Sequence, residues 1–379
     1  MPTILVSGAL GNKPHNGGNA WTRLSWARGF ARLGLDVVFV EQLAGGADRS
    51  ACAAYFRAVM ASFGLAESSA LLDAGGERVA GMAADRVADA ARSAAMLFNI
   101  SGHLKLERVR RGPRLRVYFD DDPGYTQFWH ADGHTGPGLG GHDFYYTVGR
   151  NVGSSDCPIP TGGIPWRHTR PPVVLEDWPA APAAGPRERL CFTTVASWRG
   201  PYGPVTFGGR TYGQKVHQFR KFVELPRRVA ADFELALDIH PAEVDDLSLL
   251  RSNGWRLAEP KAVAGTPEAF REYVRGSSAE FSVAQGVYVD TRSGWFSDRT
   301  TRYLAAGRPA LVQDSGFSRN LPCGEGLVPF TNVDEAAAGA ERIARDYETH
   351  CAAARAVAEQ CFDARAVLKR LLDVAGVGA

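Results

Sequence analysis

Residues 293–307, SGWFSDRTTRYLAAG, run from a polar loop into a short helix, and RPALVQD then carries the chain into an apolar strand over 309–312. Ser297 or Asp298 opens the helix and Gly307 closes it. Free N–H groups and the positive dipole end at such a helix start suit a phosphorylated ligand, although an ordinary capped surface helix has the same pattern. Ser293, Arg299 and Thr300 add hydrogen-bonding groups to that loop, and Trp295 and Phe296 offer faces for a base, a sugar or the core. A second cluster, Asp120, Asp121 and Asp122, follows the apolar run 115–119. Carboxylates there lie beyond the carboxyl end of a strand, where open parallel sheets bind ligands, or they cap the turn DPGY. His240 follows the strand-like ALDI and is either a ligand hydrogen-bonder or a satisfied, half-buried histidine.

The elements that position these residues alternate. An apolar run at 3–6, the loop GALGNKPHNGGN, the amphipathic AWTRLSWARGFARLG and a β-branched run at 37–40 closed by Glu41 form the opening of a βαβ unit. Gly8, Gly11, Gly17 and Gly18 are not spaced as GxGxxG, so no dinucleotide fingerprint is present; with Asn19, the glycines let a ligand approach the backbone. Alanine-rich helices are expected over 51–95, then strands at 95–100, ending in Ser101-Gly102-His103, at 115–119 and at 144–148. Eight of the 22 prolines fall within 157–189, which reads as an extended connector, and the domain boundary is placed near residue 170.

The second half restarts with the strand CFTTVAS, a loop over 198–213 with five glycines and a helix over 214–225. Strands at 233–239, 255–257 and 281–283, with a helix at 267–275, lead to the focal loop. The tail is helical over 334–360 and 363–374, and a break at Cys361-Phe362 lets the last helix, about 361–379, pack back on the first half. The expected fold is α/β, with two doubly wound Rossmann-like domains, 1–170 and 171–360, facing each other across a cleft.

The composition fits this size: 379 residues exceed one typical core, and 45% hydrophobic with 22% charged is ordinary for a globular chain. Lys and Arg number 43 against 41 Asp and Glu, so no global field recruits nucleic acid or anionic membrane. The opening MPTILVSGAL lacks a basic region and a spanning apolar run, which points to the cytoplasm. Six cysteines without CxxC or Cys/His ligand spacing argue against a zinc site or a disulfide framework.

Two such domains joined by a proline-rich linker resemble the GT-B glycosyltransferases. RYLAAGRPALVQD is similar to the EAxAxGxPVV helix and strand of many such enzymes. The resemblance is nearest to the CgeB-like, family-1-type bacterial branch, covering about 290–370 well and the first half by architecture only. It implies a UDP- or TDP-sugar donor in the second domain, a hydroxylated small-molecule or glycan acceptor in the first, and catalysis between them. No cofactor or bound metal, no nucleic-acid partner and no membrane span are implied. An alanine, arginine and glycine bias suggests a high-GC bacterial source, where acceptors are secondary metabolites or surface glycans.

The resemblance also implies roles. Arg199 and Lys215, in SWRG and YGQK, match an Arg/Lys pair that stabilises the departing diphosphate. The glutamate that binds ribose in the family is Arg302 here. Asp298, one turn earlier on the same face, is the substitute acceptor for the ribose hydroxyls, and Arg302 either pairs with it or adds to the phosphate charge. Gly286 and Tyr288 shape the pocket wall. An inverting transfer needs a general base from the first domain, and His15, Asp120 and Asp122 are the candidates; the acids alternatively orient His15 or grip the acceptor, and a retaining enzyme needs no such base. The loop WHADGHTGPGLGGH, with His130, His134 and His142, is read as a flexible acceptor-side loop. The rival readings are a two-domain protein that binds sugar or nucleotide without chemistry, and a UDP-sugar epimerase of the same fold.

Overall fold

The computed structural model describes residues 1–180 and 189–378. The first sheet contains β1 (Thr3–Ser7), β2 (Asp36–Gln42), β3 (Ser69–Leu72), β4 (Arg78–Gly81), β5 (Met96–Ile100), β6 (Leu115–Asp120), β7 (Phe144–Thr147) and β8 (Arg167–His168). Their spatial order is β4-β3-β2-β1-β5-β6-β7-β8, and every pairing is parallel except β3 with β4. The second half contributes β9 (Cys191–Ser197), a hairpin of β10 (Val205–Phe207) and β11 (Arg210–Tyr212), then β12 (Asp232–Asp238), β13 (Arg256–Ala258), β14 (Ala279–Ser282), β15 (Ala310–Gln313) and β16 (Leu327–Phe330). Its main sheet is wholly parallel, in the order β13-β12-β9-β14-β15-β16.

Helices cover both faces of the parallel strands, so β5, β14 and β15 are buried at every residue. In each sheet the chain winds outward one way, returns, and continues on the other side of the first strand. The reversals fall between β1 and β5 and between β9 and β14. The crevices beyond those strand ends are where a doubly wound sheet holds ligands.

An apolar seam joins the two halves. Trp21, on the Gly17–Arg32 helix, packs on Trp178 with ring centroids 5.0 Å apart and donates from its indole to Pro267 O at 2.8 Å. Gly17 and Gly18 are explained here: a Cβ at Gly17 would lie 2.0 Å from Thr266 O, and one at Gly18 would lie 3.1 Å from the Phe270 ring. These glycines admit the other half of the chain to the backbone, where the sequence reading has them admit a ligand. The last helix, Ala364–Ala375, is capped by Asp363 and packs on the Gly17–Arg32 helix, where a Cβ at Gly29 would meet Leu368 at 2.7 Å.

The structure departs from the sequence expectations in several places. Residues 51–95 hold helices Arg49–Ser62 and Ala84–Ser93, with the antiparallel pair β3 and β4 between them. The short SALL and RVAG runs lie inside alanine-rich sequence and carry no alternation that would mark them as strands. The 198–213 loop contains the β10–β11 hairpin, turned at Gly208 and Gly209, both at positive φ (57° and 75°). The helix expected over 214–225 is three short pieces, Lys215–Phe219, Arg220–Phe222 and Leu225–Arg228. Within the proline-rich connector, 181–188 lies outside the described residues; the rest includes β8, one turn at Leu175–Asp177 and a bridge from Val173 to Asp363.

The seam makes a direct prediction. Gly17→Ala forces a methyl against backbone and is expected to cost about 1–3 kcal/mol, read as a lower Tm in thermal unfolding. An unchanged Tm would mean that the two halves do not meet at this helix start.

Candidate functional site

The first face of the cleft is built at the carboxyl ends of β1, β5 and β6. The glycine-rich loop after β1 is shaped from within: Glu41, at the end of β2, accepts hydrogen bonds from the backbone N–H groups of Leu10, Gly11 and Asn12 at 2.9, 2.7 and 2.8 Å. Asn16 caps the following helix by accepting from Asn19 N, and the Asn19 amide donates to Ala9 O. His15 is exposed at φ 60° with its ring 6.1 Å from that of Tyr55, and no hydrogen bond or ion pair joins it to the Asp120–Asp122 run. Ser101 and Arg292 are the other non-glycine residues at positive φ (52° and 49°) among the described residues; they follow β5 and precede the focal loop. Strained backbone gathered at strand ends is typical of sites that place side chains for function.

The three adjacent carboxylates occupy three environments. Asp120 is fully buried and accepts from Thr126 Oγ1, Gln127 Nε2 and Thr147 Oγ1 at 2.7, 2.8 and 2.7 Å. It ties β6 to β7 and to the Tyr125–Ala131 helix, so a base role is unsuited to it. Asp121 lies 3.5 Å from Arg23; burial pushes its carboxyl up to about 7 against the pull of Arg23, with Asp122, Asp298 and Asp120 adding repulsion. Asp122 accepts from the Tyr288 hydroxyl at 2.8 Å across the cleft and lines a cavity of about 450 Å³.

His103, Lys105, Tyr118, Trp129 and Tyr202 line the same cavity. Burial, then Arg23, Lys13 and Lys105, lower His103 to about 3, so its ring is neutral near pH 7. Tyr202, from the glycine-rich loop before β10, packs on Tyr125 and Trp129 with centroids 5.0 and 4.9 Å away, and the hairpin's Phe207 and Tyr212 stack on Phe128 at 4.9 and 5.0 Å. Of the loop histidines, His134 lines the cavity, His130 packs toward Gly162, and His142 is buried beside Asn99 Nδ2 and Leu139 O at 3.2 and 3.0 Å.

The second face is built at the ends of β9 and β14. Lys215 opens its helix, and its backbone N–H donates to Gln285 Oε1 at 2.7 Å. Withdrawal from water, reinforced by the nearby Arg299 cation and opposed by Glu280, lowers its ammonium to about 7. Arg299 donates to Glu280 Oε1, Val195 O and Ser282 Oγ at 2.7, 2.9 and 2.6 Å. Glu280 is fully buried, and burial raises its carboxyl while Arg299 pulls it down.

The Arg/Lys pair suggested by the family pattern is not assembled as expected. The Arg199 side chain turns to Glu243, donating twice at 2.5 and 2.9 Å, and Arg299 is the cation beside Lys215. His240 is exposed, and its Nδ1 accepts from Ala242 N at 3.1 Å, which fixes its own turn.

In the focal stretch Ser297 is the N-cap residue of the Asp298–Ala305 helix, is buried, and makes no side-chain cap bond. Arg302 is fully buried and pairs with Asp298 Oδ2 at 2.8 Å, the first of the two alternatives that the sequence left open. Asp298 Oδ2 also accepts from Thr22 Oγ1, and Arg302 donates to Ser25 Oγ at 3.2 Å, so this pair faces the Gly17–Arg32 helix. Trp295 stacks on Tyr288 (4.4 Å, 22°), Ser293 Oγ accepts from Trp295 N at 3.2 Å, and Thr300 is buried.

The sequence reading missed Glu280, Gln285, Arg23 and Lys13 as site residues. Glu280 alone carried a signal, as a single acid inside the apolar AEFS strand.

No protein-family model matches the chain, and neither does any curated protein sequence. Solved structures do. HepE of Anabaena, in complex with UDP-glucose, is similar over 99% of this chain and 100% of its own, with a TM-score of 0.62 and 11% identity. An alpha-glucosyltransferase in complex with UDP gives the same TM-score, 0.62, at 11% identity over 99% and 100% of the two chains. AviGT4, a glycosyltransferase involved in avilamycin A biosynthesis, is similar over 99% of this chain and 97% of its own, with a TM-score of 0.56 and 10% identity. At such identities the likeness establishes the fold: two doubly wound domains in the GT-B arrangement.

Proposed function

We propose that this chain is a glycosyltransferase that moves a sugar from a UDP- or TDP-sugar, held by residues 171–360, to a hydroxylated small molecule or glycan held by residues 1–170. The observation that carries the reading is the Tyr288–Asp122 hydrogen bond, 2.8 Å across the cleft, which sets Asp122 and the aromatic cavity against the β9–β14 reversal, where Lys215 is withdrawn from water near the charge of Arg299. The full-length likeness to HepE with UDP-glucose and to the alpha-glucosyltransferase with UDP agrees with it. The pattern over about 290–370 resembles that of the CgeB-like bacterial branch, and work in the cytoplasm fits a nucleotide-sugar donor; no described helix is long and apolar enough to cross a membrane.

Bond cleavage leaves negative charge on the departing diphosphate. Lys215 and Arg299 stabilise it from a face already partly withdrawn from water, where fixed cations act more strongly than in bulk solvent, so transfer needs no metal. Tyr118, Trp129 and Tyr202 give the acceptor apolar faces suited to a sugar ring. Asp122, oriented by the Tyr288 hydroxyl, is the carboxylate placed to take the acceptor proton.

Release of free nucleoside diphosphate is the test, with UDP-glucose or TDP-glucose and a panel of hydroxylated acceptors. Acceptor-dependent release that persists in EDTA supports transfer. Donor isomerisation or UDP release without acceptor would identify an epimerase, and binding without release a non-catalytic receptor. Lys215→Ala is expected to lower kcat/KM by about 10²–10³ and Asp122→Asn by about 10²–10⁴, with Tm retained. Asp120→Ala instead is expected to lower stability by about 2–4 kcal/mol, because it strands three buried donors; equal stability of the Asp120 and Asp122 variants in urea unfolding would contradict this division of roles.

A further inference from the structure

A second cavity, of about 380 Å³, lies away from the cleft, between the β7–β8 edge of the first sheet and the last helix. Four arginines line it: Arg150 after β7, Arg167 on β8, Arg170 within the connector and Arg370 on the Ala364–Ala375 helix. Elsewhere buried or half-buried arginines often meet carboxylates, as Arg28 meets Asp177, Arg299 meets Glu280 and Arg302 meets Asp298, although the buried Arg308 donates to Arg275 O instead. Here, among the described residues, no ion pair reaches any of the four.

Their existing contacts are partial. Arg170 donates to Asn320 O at 2.8 Å and Cys361 O at 3.4 Å, Arg167 lies over the Phe144 ring at 5.5 Å, and His168 Nε2 is 2.9 Å from Val152 O. Arg150 Nε is buried without a hydrogen-bond partner. Burial, then Arg170 and Arg370, hold the Arg150 guanidinium below its usual range. Arginine stays protonated regardless, so the repulsion persists until something neutralises it. Planar guanidinium forks around a partly open cavity match the geometry of phosphate-type oxygens, and the space is large enough for a small ligand.

We propose that this cavity is a second binding site, for a polyvalent oxyanion of the phosphate type. The ligand is either a free anion such as pyrophosphate or the phosphate group of a small ester. The site lies where the chain crosses between the two halves: Arg170 lies within the connector, and the bridge from Val173 to Asp363 joins that connector to the start of the helix that carries Arg370. An anion held there fastens both crossings to the first sheet.

The test uses the whole chain with Lys215→Ala in the background, which weakens the proposed donor site so that the two sites are read separately. Pyrophosphate, inorganic phosphate and glucose 6-phosphate are titrated by calorimetry and thermal shift. The expected result is saturable binding of at least one of them with a raised Tm, weakened at least tenfold by Arg370→Gln and abolished by Arg150→Gln with Arg370→Gln. Tighter binding of glucose 6-phosphate than of inorganic phosphate assigns an ester; tighter binding of pyrophosphate assigns a free anion. Arg370 is exposed, so its single variant keeps the fold, and Arg150→Met without ligand should hold or raise the Tm because it removes a half-buried cation whose Nε lacks a hydrogen-bond partner. Absence of binding, binding that survives the double substitution, or a large loss of Tm in Arg150→Met would overturn the proposal.

Discussion

A guanidinium without exposed surface sits where the two halves of this chain meet, and its needs set the geometry around it. Arg302 satisfies its charge within its own helix, through Asp298 one turn earlier, and its hydrogen-bonded links to the other half run through hydroxyls: Ser25 receives its hydrogen bond, and Thr22 donates to Asp298. Breaking a buried charge pair costs about 3–5 kcal/mol, whereas a hydrogen bond to a charged group contributes about 1.5–3 kcal/mol. The expensive interaction therefore stays intact if the halves separate, and the cheaper ones are those that separation breaks. The seam of Trp21, Trp178 and Phe270 supplies the apolar remainder. Such a joint holds the register of the two halves.

With the halves so fixed, the cleft carries mixed charges: Arg23 lies beside the carboxylates of the first sheet, and Glu280 beside the cations of the second. Carboxylates Asp121 and Asp122 project from the first sheet, and Lys215 and Arg299 cluster on the second, anchored by buried Glu280. In the proposed reading the first face takes the acceptor and the second the departing diphosphate. The glycine-rich loop after β1 contributes shape, being drawn in by Glu41 and by the close approach of Thr266.

Much of the fold was legible because apolar runs such as MLFNI and PALV are bounded by turn residues and end up as strands buried on both faces. The hairpin at 205–212 was passed over as loop although GG between two short β-branched and aromatic runs is its signal. In the site, Lys215 and Arg299 were each visible by type and position, but their pairing was not, since only the β9–β14 adjacency brings them together. The same limit applies to Asp120, Asp121 and Asp122. Identical residues in succession point to different surroundings, and sequence does not say which one meets Thr126, Gln127 and Thr147 in the interior and which one meets solvent. The paired state of Arg302 with Asp298 was readable from i, i+4 spacing, but its burial against a distant helix was not.

The most direct measurement is the number of protons taken up when a nucleotide sugar binds. Lys215 in the free protein is lowered to about 7, so at pH 8 it is mostly neutral; a diphosphate beside it favours the charged ammonium. Binding should then draw in a proton, and affinity should fall as pH rises above 7. UDP-glucose has no phosphate group that titrates in this range, so calorimetry at pH 8 in buffers of different ionisation enthalpy reads the lysine. The expected result is uptake of about one proton per UDP-glucose bound, lost in Lys215→Arg. Binding at pH 8 with no proton uptake, or the same uptake in the Lys215→Arg protein, would contradict a diphosphate site at Lys215 and Arg299.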